Sequence, residues 1–120
     1  MMWFLLLALK ISTPADMARI AGFMDGRELA HRCEAEIGDP DTLVCNAYII
    51  GSVDQLMAEQ SVWGRGHAKI CLPDKISVED LRQVVSDHMR RDPPGPGVAA
   101  SGLVVGAVLA AYPCPGNEAS

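Results

Sequence analysis

Four cysteines, Cys33, Cys45, Cys71 and Cys114, are spread through a 120-residue chain with no two placed as a CxxC pair. That spacing argues against a zinc ribbon and against a thioredoxin-type dithiol, both of which need closely paired cysteines. An even count spread over a small domain is the pattern of a disulfide framework, and such frameworks form in oxidising compartments. The competing reading is four buried free thiols packing as small hydrophobes. With 49% hydrophobic and 21% charged residues the chain can build a core, and a chain of this length buries roughly two-thirds of its unfolded surface. The net charge of −5 leaves no basic face for nucleic acid. No apolar run approaches the ~18 residues of a membrane span.

Export requires a leader. The run Met2-Trp3-Phe4-Leu5-Leu6-Leu7-Ala8-Leu9 has the character of a short apolar signal core, and Thr13-Pro14-Ala15 offers a place for cleavage. It is atypical, since no Lys or Arg precedes it and Lys10 follows at once; the other reading is a short apolar helix packed on the domain. The division expected is 1–24 as signal peptide and linker, 25–114 as one helical domain, and 115–120 as a disordered tail.

Helix signals recur through the middle. Asp25-Gly26-Arg27-Glu28 is a capping pattern, and Leu29, Ala30, Cys33 and Ile37 follow at helical spacing. A first helix to about residue 37 is expected. Gly38-Asp39-Pro40 ends it and starts a second, with Asp39 as cap and Pro40 in the first position, running to about residue 59. Cys45, Tyr48, Ile49, Ser52, Val53 and Leu56 form its apolar stripe, with Ala47 and Gly51 as a flat patch for close packing. The 60–70 segment, with Gly64 and Gly66 around Arg65, is loop chemistry, and Cys71-Leu72-Pro73-Asp74 is a short rigid connector. Ser77-Val78-Glu79-Asp80 caps a third helix that turns Leu81, Val84, Val85 and His88 inward. Asp92-Pro93-Pro94-Gly95-Pro96-Gly97 stops it. From Val98 to Tyr112 no charge occurs, so a fourth helix there is either a central core helix or an interface helix. The fold expected is an all-α, disulfide-bonded bundle of about four helices with no strand.

Chemistry is sparse. His88 falls on an apolar face, where a core histidine is the ordinary explanation, and His31 sits among charges as a surface residue. His67, four residues before Cys71, is the nearest approach to a Cys–His nucleophile, but no third residue orients it. A zinc site from Cys33, Cys45, His67 and Cys71 has irregular spacing. Asp54, one turn beyond Gly51, is expected to be partly buried and to bond a neighbouring helix end. Gly64-Arg65-Gly66 is too short for a phosphate loop. The expected protein is no enzyme and has no catalytic residue, cofactor or metal.

Four motifs carry a resemblance: Cys45-Asn46-Ala47-Tyr48-Ile49-Ile50-Gly51-Ser52-Val53-Asp54, Cys71-Leu72-Pro73-Asp74, Val84-Val85, and Tyr112-Pro113-Cys114. Together, in this order, they resemble the Rap/Tai immunity family, small bacterial proteins that neutralise type VI secretion amidase effectors. The resemblance covers about 26–114. It implies an exported, all-helical, disulfide-bonded and often dimeric protein that binds a peptidoglycan amidase in the periplasm and blocks its cleft. His88 stands where the family usually has an aromatic residue. The rival reading is a stand-alone periplasmic helical module; an adjacent small Cys/His amidase gene separates the two.

Three placements follow from the bundle. If the 60–70 loop runs back along it, Cys71 meets Cys45 and Cys114 returns beside Cys33, so the bonds expected are Cys33–Cys114 and Cys45–Cys71. The alternative, Cys33–Cys45 with Cys71–Cys114, requires the third helix to start at the opposite end. A homodimer is expected through the fourth helix (Gly102, Val105, Gly106, Leu109) or the outer side of the third. The inhibitory surface is expected on the 60–69 loop, whose Trp63, Arg65 and His67 lie between glycines and include residue types enriched at binding hot spots. Arg90, Arg91 and Asp92 are the second choice.

Overall fold

The computed structural model describes residues 23–63 and 69–115. Four helices follow one another: α1 (Gly26–Cys33), α2 (Pro40–Trp63), α3 (Val78–Arg91) and α4 (Ala100–Ala111). Among the described residues there is no strand, only two isolated antiparallel bridges, Asp25 with Ala99 and Ile70 with Pro113.

The starts of α1 and α3 are set by side chains. Asp25 accepts a hydrogen bond from the Glu28 amide at 2.8 Å. Ser77 and Asp80 exchange bonds in a full capping box, the Asp80 amide donating to Ser77 Oγ at 3.0 Å and the Ser77 amide to Asp80 Oδ2 at 3.1 Å. At the head of α2, Asp39 Oδ1 accepts from the Asp41 amide at 2.8 Å, and Pro40 occupies the first position, where a missing N–H costs nothing.

Two boundaries differ from the expectation. The first helix stops at Cys33, not near Ile37, which is 86% exposed. The chain leaves the helix in tighter turns, the Ala35 amide donating to the Arg32 carbonyl at 3.3 Å and the Asp39 amide to the Glu36 carbonyl at 3.0 Å. The buried Thr42 ties this corner to α2 by donating from Oγ1 to the Glu36 carbonyl at 2.7 Å. Arg32 reinforces the corner by donating to Asp41 at 2.8 Å and Glu28 at 3.1 Å. The second helix runs on to Trp63, a full turn beyond the expected end.

The core collects Leu29 and Cys33 from α1, Cys45, Ile49 and Val53 from α2, Leu81, Val85 and Met89 from α3, and Ala100, Val104, Ala107 and Val108 from α4. Every pair of helices is in contact. His88, expected in the core, is only half-buried. The fourth helix has one face in the core, while Gly102 and Leu109 on the other side are exposed.

Both disulfides form, with the alternative pairing: Cys33–Cys45 and Cys71–Cys114. The expected Cys33–Cys114 and Cys45–Cys71 bonds are incorrect because the segment after α2 does not run back along the bundle. Ile70 is hydrogen-bonded to Gln60, so Cys71 stays near the C-terminal end of α2. At the other end, Gly26 N–H donates to the Val98 carbonyl at 2.7 Å and Ala100 N–H to that of Met24 at 3.0 Å. The fourth helix therefore starts beside the head of α1 and ends beside Cys71, whose N–H donates to the Tyr112 carbonyl at 2.9 Å.

Candidate functional site

Gln60 is the organising residue at the far end of α2. Its Oε1 accepts from the amides of both Lys69 and Ile70 at 3.0 Å, and its Nε2 donates to the Ile70 carbonyl at 3.1 Å. One side chain thus satisfies three backbone groups and holds Lys69 and Ile70 against the last turns of α2, closing a neck below residues 64–68. The neck is tied from a second side as well. Cys114 N–H donates to the Lys69 carbonyl at 3.1 Å, Ile70 is 2% exposed, and the Cys71–Cys114 bond joins the two strands of chain covalently. Trp63 is the last residue of α2. Arg65 and His67 lie outside the described residues.

Beside this neck is an apolar groove of roughly 200 Å³, lined by Leu56, Ile70, Val105 and Leu109 together with Glu59, Gln60 and Lys69. The carboxylate and the ammonium are its formally charged lining groups. Neither the groove nor the clamp has a signal in the sequence, which places Gln60 at the start of a loop. A glutamine that bonds a backbone ten residues ahead has no periodicity to betray it.

The second candidate surface is the turn between α3 and α4. Arg90, Arg91 and Asp92 are all exposed there, with Arg90 paired to Asp87 at 3.0 Å. Asp92 ends the helix by donating its N–H to the His88 carbonyl at 2.9 Å. Pro94 lies against Gly26 so closely that a Cβ on Gly26 would stand 2.9 Å from the proline Cβ and 2.2 Å from Leu103 Cδ1. Gly97, with φ +77°, supplies the left-handed residue that turns the chain into α4. The two candidate surfaces are not brought together: one lies where α4 begins and the other where it ends, roughly 18 Å along the helix.

The outward face of α2 is also apolar. Leu43 is 69% exposed, Val44, Ile50 and Met57 are each 36% exposed, and Ala47 and Gly51 share that side. The flat patch expected from Ala47 and Gly51 seats no neighbouring helix, since a Cβ on Gly51 would meet nothing within 4 Å. Asp54, expected to be partly buried, is exposed on the same face.

The cysteines weighed above as metal ligands or as a nucleophile have another role. Cys33, Cys45 and Cys71 are consumed in disulfides. Among the described residues no cluster of three or more His, Cys, Asp or Glu is placed to hold a metal, and no helix is long and apolar enough to cross a membrane. What the described residues build is a stapled bundle carrying two tethered connections and exposed apolar faces, geometry suited to contacting another macromolecule.

No curated protein and no solved structure matches the chain. A family model described as Rap1a immunity proteins matches residues 25–114, which spans all four helices and both disulfides. Its members are inhibitors without catalysis of their own. The chain belongs to the Rap1a immunity protein family.

Proposed function

We propose that this protein acts in the periplasm by binding a type VI secretion peptidoglycan amidase effector and covering its active-site cleft. The observation that carries this reading is the clamped neck. An occluding inhibitor must present a segment whose ends are already fixed, because ordering on binding subtracts from affinity. Gln60, the Cys71–Cys114 bond and the contacts to Lys69 and Tyr112 fix the residues that flank 64–68 on both sides. Trp63, Arg65 and His67 are its proposed contact residues, followed by Arg90, Arg91 and Asp92 on the α3–α4 turn. Two disulfides fit the oxidising periplasm and an exported chain.

The same reading includes a homodimer through the outward side of α4. Gly102 and Leu109 are exposed there, Val105 and Gly106 are half-buried, and neither glycine has a neighbour within 4 Å of a Cβ. Light scattering at micromolar concentration tests it, and a monomer mass removes the dimer.

The test of occlusion is to replace Trp63 and Arg65 by alanine, verify the helical signal by circular dichroism, and measure binding and inhibition with the cognate amidase. A loss of ~2 kcal/mol or more in binding is the expected result for a hot spot. Undiminished inhibition by a folded variant moves the surface to Arg90, Arg91 and Asp92.

A further inference from the structure

The two disulfides differ in what surrounds them. Cys33 and Cys45 are 3% and 0% exposed and lie within the core cluster. Cys114 is 6% exposed, whereas Cys71, its partner, is an exposed residue. Disulfide exchange requires a thiolate to reach one of the two sulfurs, so access decides which bond reacts. We propose that Cys71 is a thiol-exchange site: a dithiol reductant enters at its sulfur and opens the Cys71–Cys114 bond while the Cys33–Cys45 bond stays closed.

The chemistry balances without any group from the protein beyond the bond itself. The reductant's thiolate attacks Cys71 Sγ, a mixed disulfide forms there, and Cys114 leaves as a thiolate that takes a proton from solvent. The reductant's second thiol, once deprotonated, then attacks its own sulfur in the mixed disulfide, releases Cys71 as a thiolate, and departs as an oxidised disulfide. Two electrons pass from the dithiol to the cysteine pair. Attack in the opposite sense, on Cys114, is blocked by burial.

The bundle has contacts that outlast the bond. Cys71 N–H still donates to Tyr112, Cys114 N–H to the Lys69 carbonyl, and Gln60 still holds Lys69 and Ile70. Opening is therefore local, and the two thiols remain positioned to close again on oxidation. A bond of this kind joins the neck at Lys69 and Ile70 to the end of α4, so its redox state reaches the stretch assigned above to effector contact. The exchange site itself does not depend on that assignment.

The experiment uses the full oxidised chain and dithiothreitol, with timed iodoacetamide quenching and peptide mass mapping. Cys71 and Cys114 are expected to become alkylated at least tenfold faster than Cys33 and Cys45, with the far-ultraviolet circular dichroism unchanged during that phase. Equal rates, a faster Cys33–Cys45 bond, or labelling of all four cysteines together with loss of helix would overturn the proposal. A second measurement fixes the direction of entry: brief exposure to reduced glutathione should trap the mixed disulfide on Cys71. Finding it on Cys114 rejects entry at Cys71.

Discussion

Single residues in this protein carry more than their positions suggest, and Gly26 and Gln60 show two ways in which they do. Gly26 is needed because Pro94 and Leu103 occupy the space a side chain would take. Gly26→Ala is expected to destabilise the fold by about 1–3 kcal/mol, the cost of overpacking against a rigid ring. Urea titration with an unchanged slope checks it, and a neutral result means the turn relaxes freely. Gln60 donates one hydrogen bond and accepts two at the neck. Gln60→Ala leaves those backbone groups to find water, so a loss of about 1–3 kcal/mol is expected, with faster amide exchange at Lys69 and Ile70 as its local signature. Gln60→Glu keeps the acceptor but removes the donor to Ile70, and its loss should be smaller than that of alanine.

At the scale of the helices, termini and faces behave differently. The capping box makes α3 start where it does, and Ser77→Ala should cost about 1 kcal/mol in thermal or urea unfolding. On α2 the exposed Gly51 has no neighbour to protect. Gly51→Ala is therefore expected to stabilise the protein by roughly 0.5–1 kcal/mol through lower unfolded-chain entropy. A loss instead would mean that the flat patch is covered in solution. The core face of the same helix responds in the opposite sense: Ile49 is fully buried, and Ile49→Ala should cost about 2–5 kcal/mol.

The molecule as a whole is held by two staples of unequal reach. Cys33–Cys45 spans 12 residues within the α1–α2 corner, whereas Cys71–Cys114 spans 43 and connects the neck to the segment just after α4. Loop-closure entropy makes the longer staple worth more by about 1 kcal/mol. Double alanine variants should each lose about 2–5 kcal/mol, as read by chemical denaturation. If the long-range variant loses less than the short-range one by a wide margin, the denatured chain already holds residues 71 and 114 near each other.

The local signals alone determined the helical class, the starts of α1, α2 and α3, and an apolar fourth helix. Caps, Pro at a helix start and a Pro/Gly stop act within a few residues, so they need no knowledge of the rest of the chain. The candidate site was legible only in part: the sequence points to Trp63 and Arg65 by residue type, Trp63 closes α2 in place of opening a loop, and the neck beside it left no sequence signal. Three things waited on tertiary structure. Thr42 tied the turn after α1 to the head of α2 through carbonyls six and seven residues back. Gln60 held Ile70 near the end of α2 and so reversed the disulfide pairing, because helix parity depends on where a loop returns and not on its composition. Burial was the third: Asp54 and Gly51 ended up on the open side of α2, since which stripe of a long apolar helix meets the core is decided by the neighbouring helices it packs against.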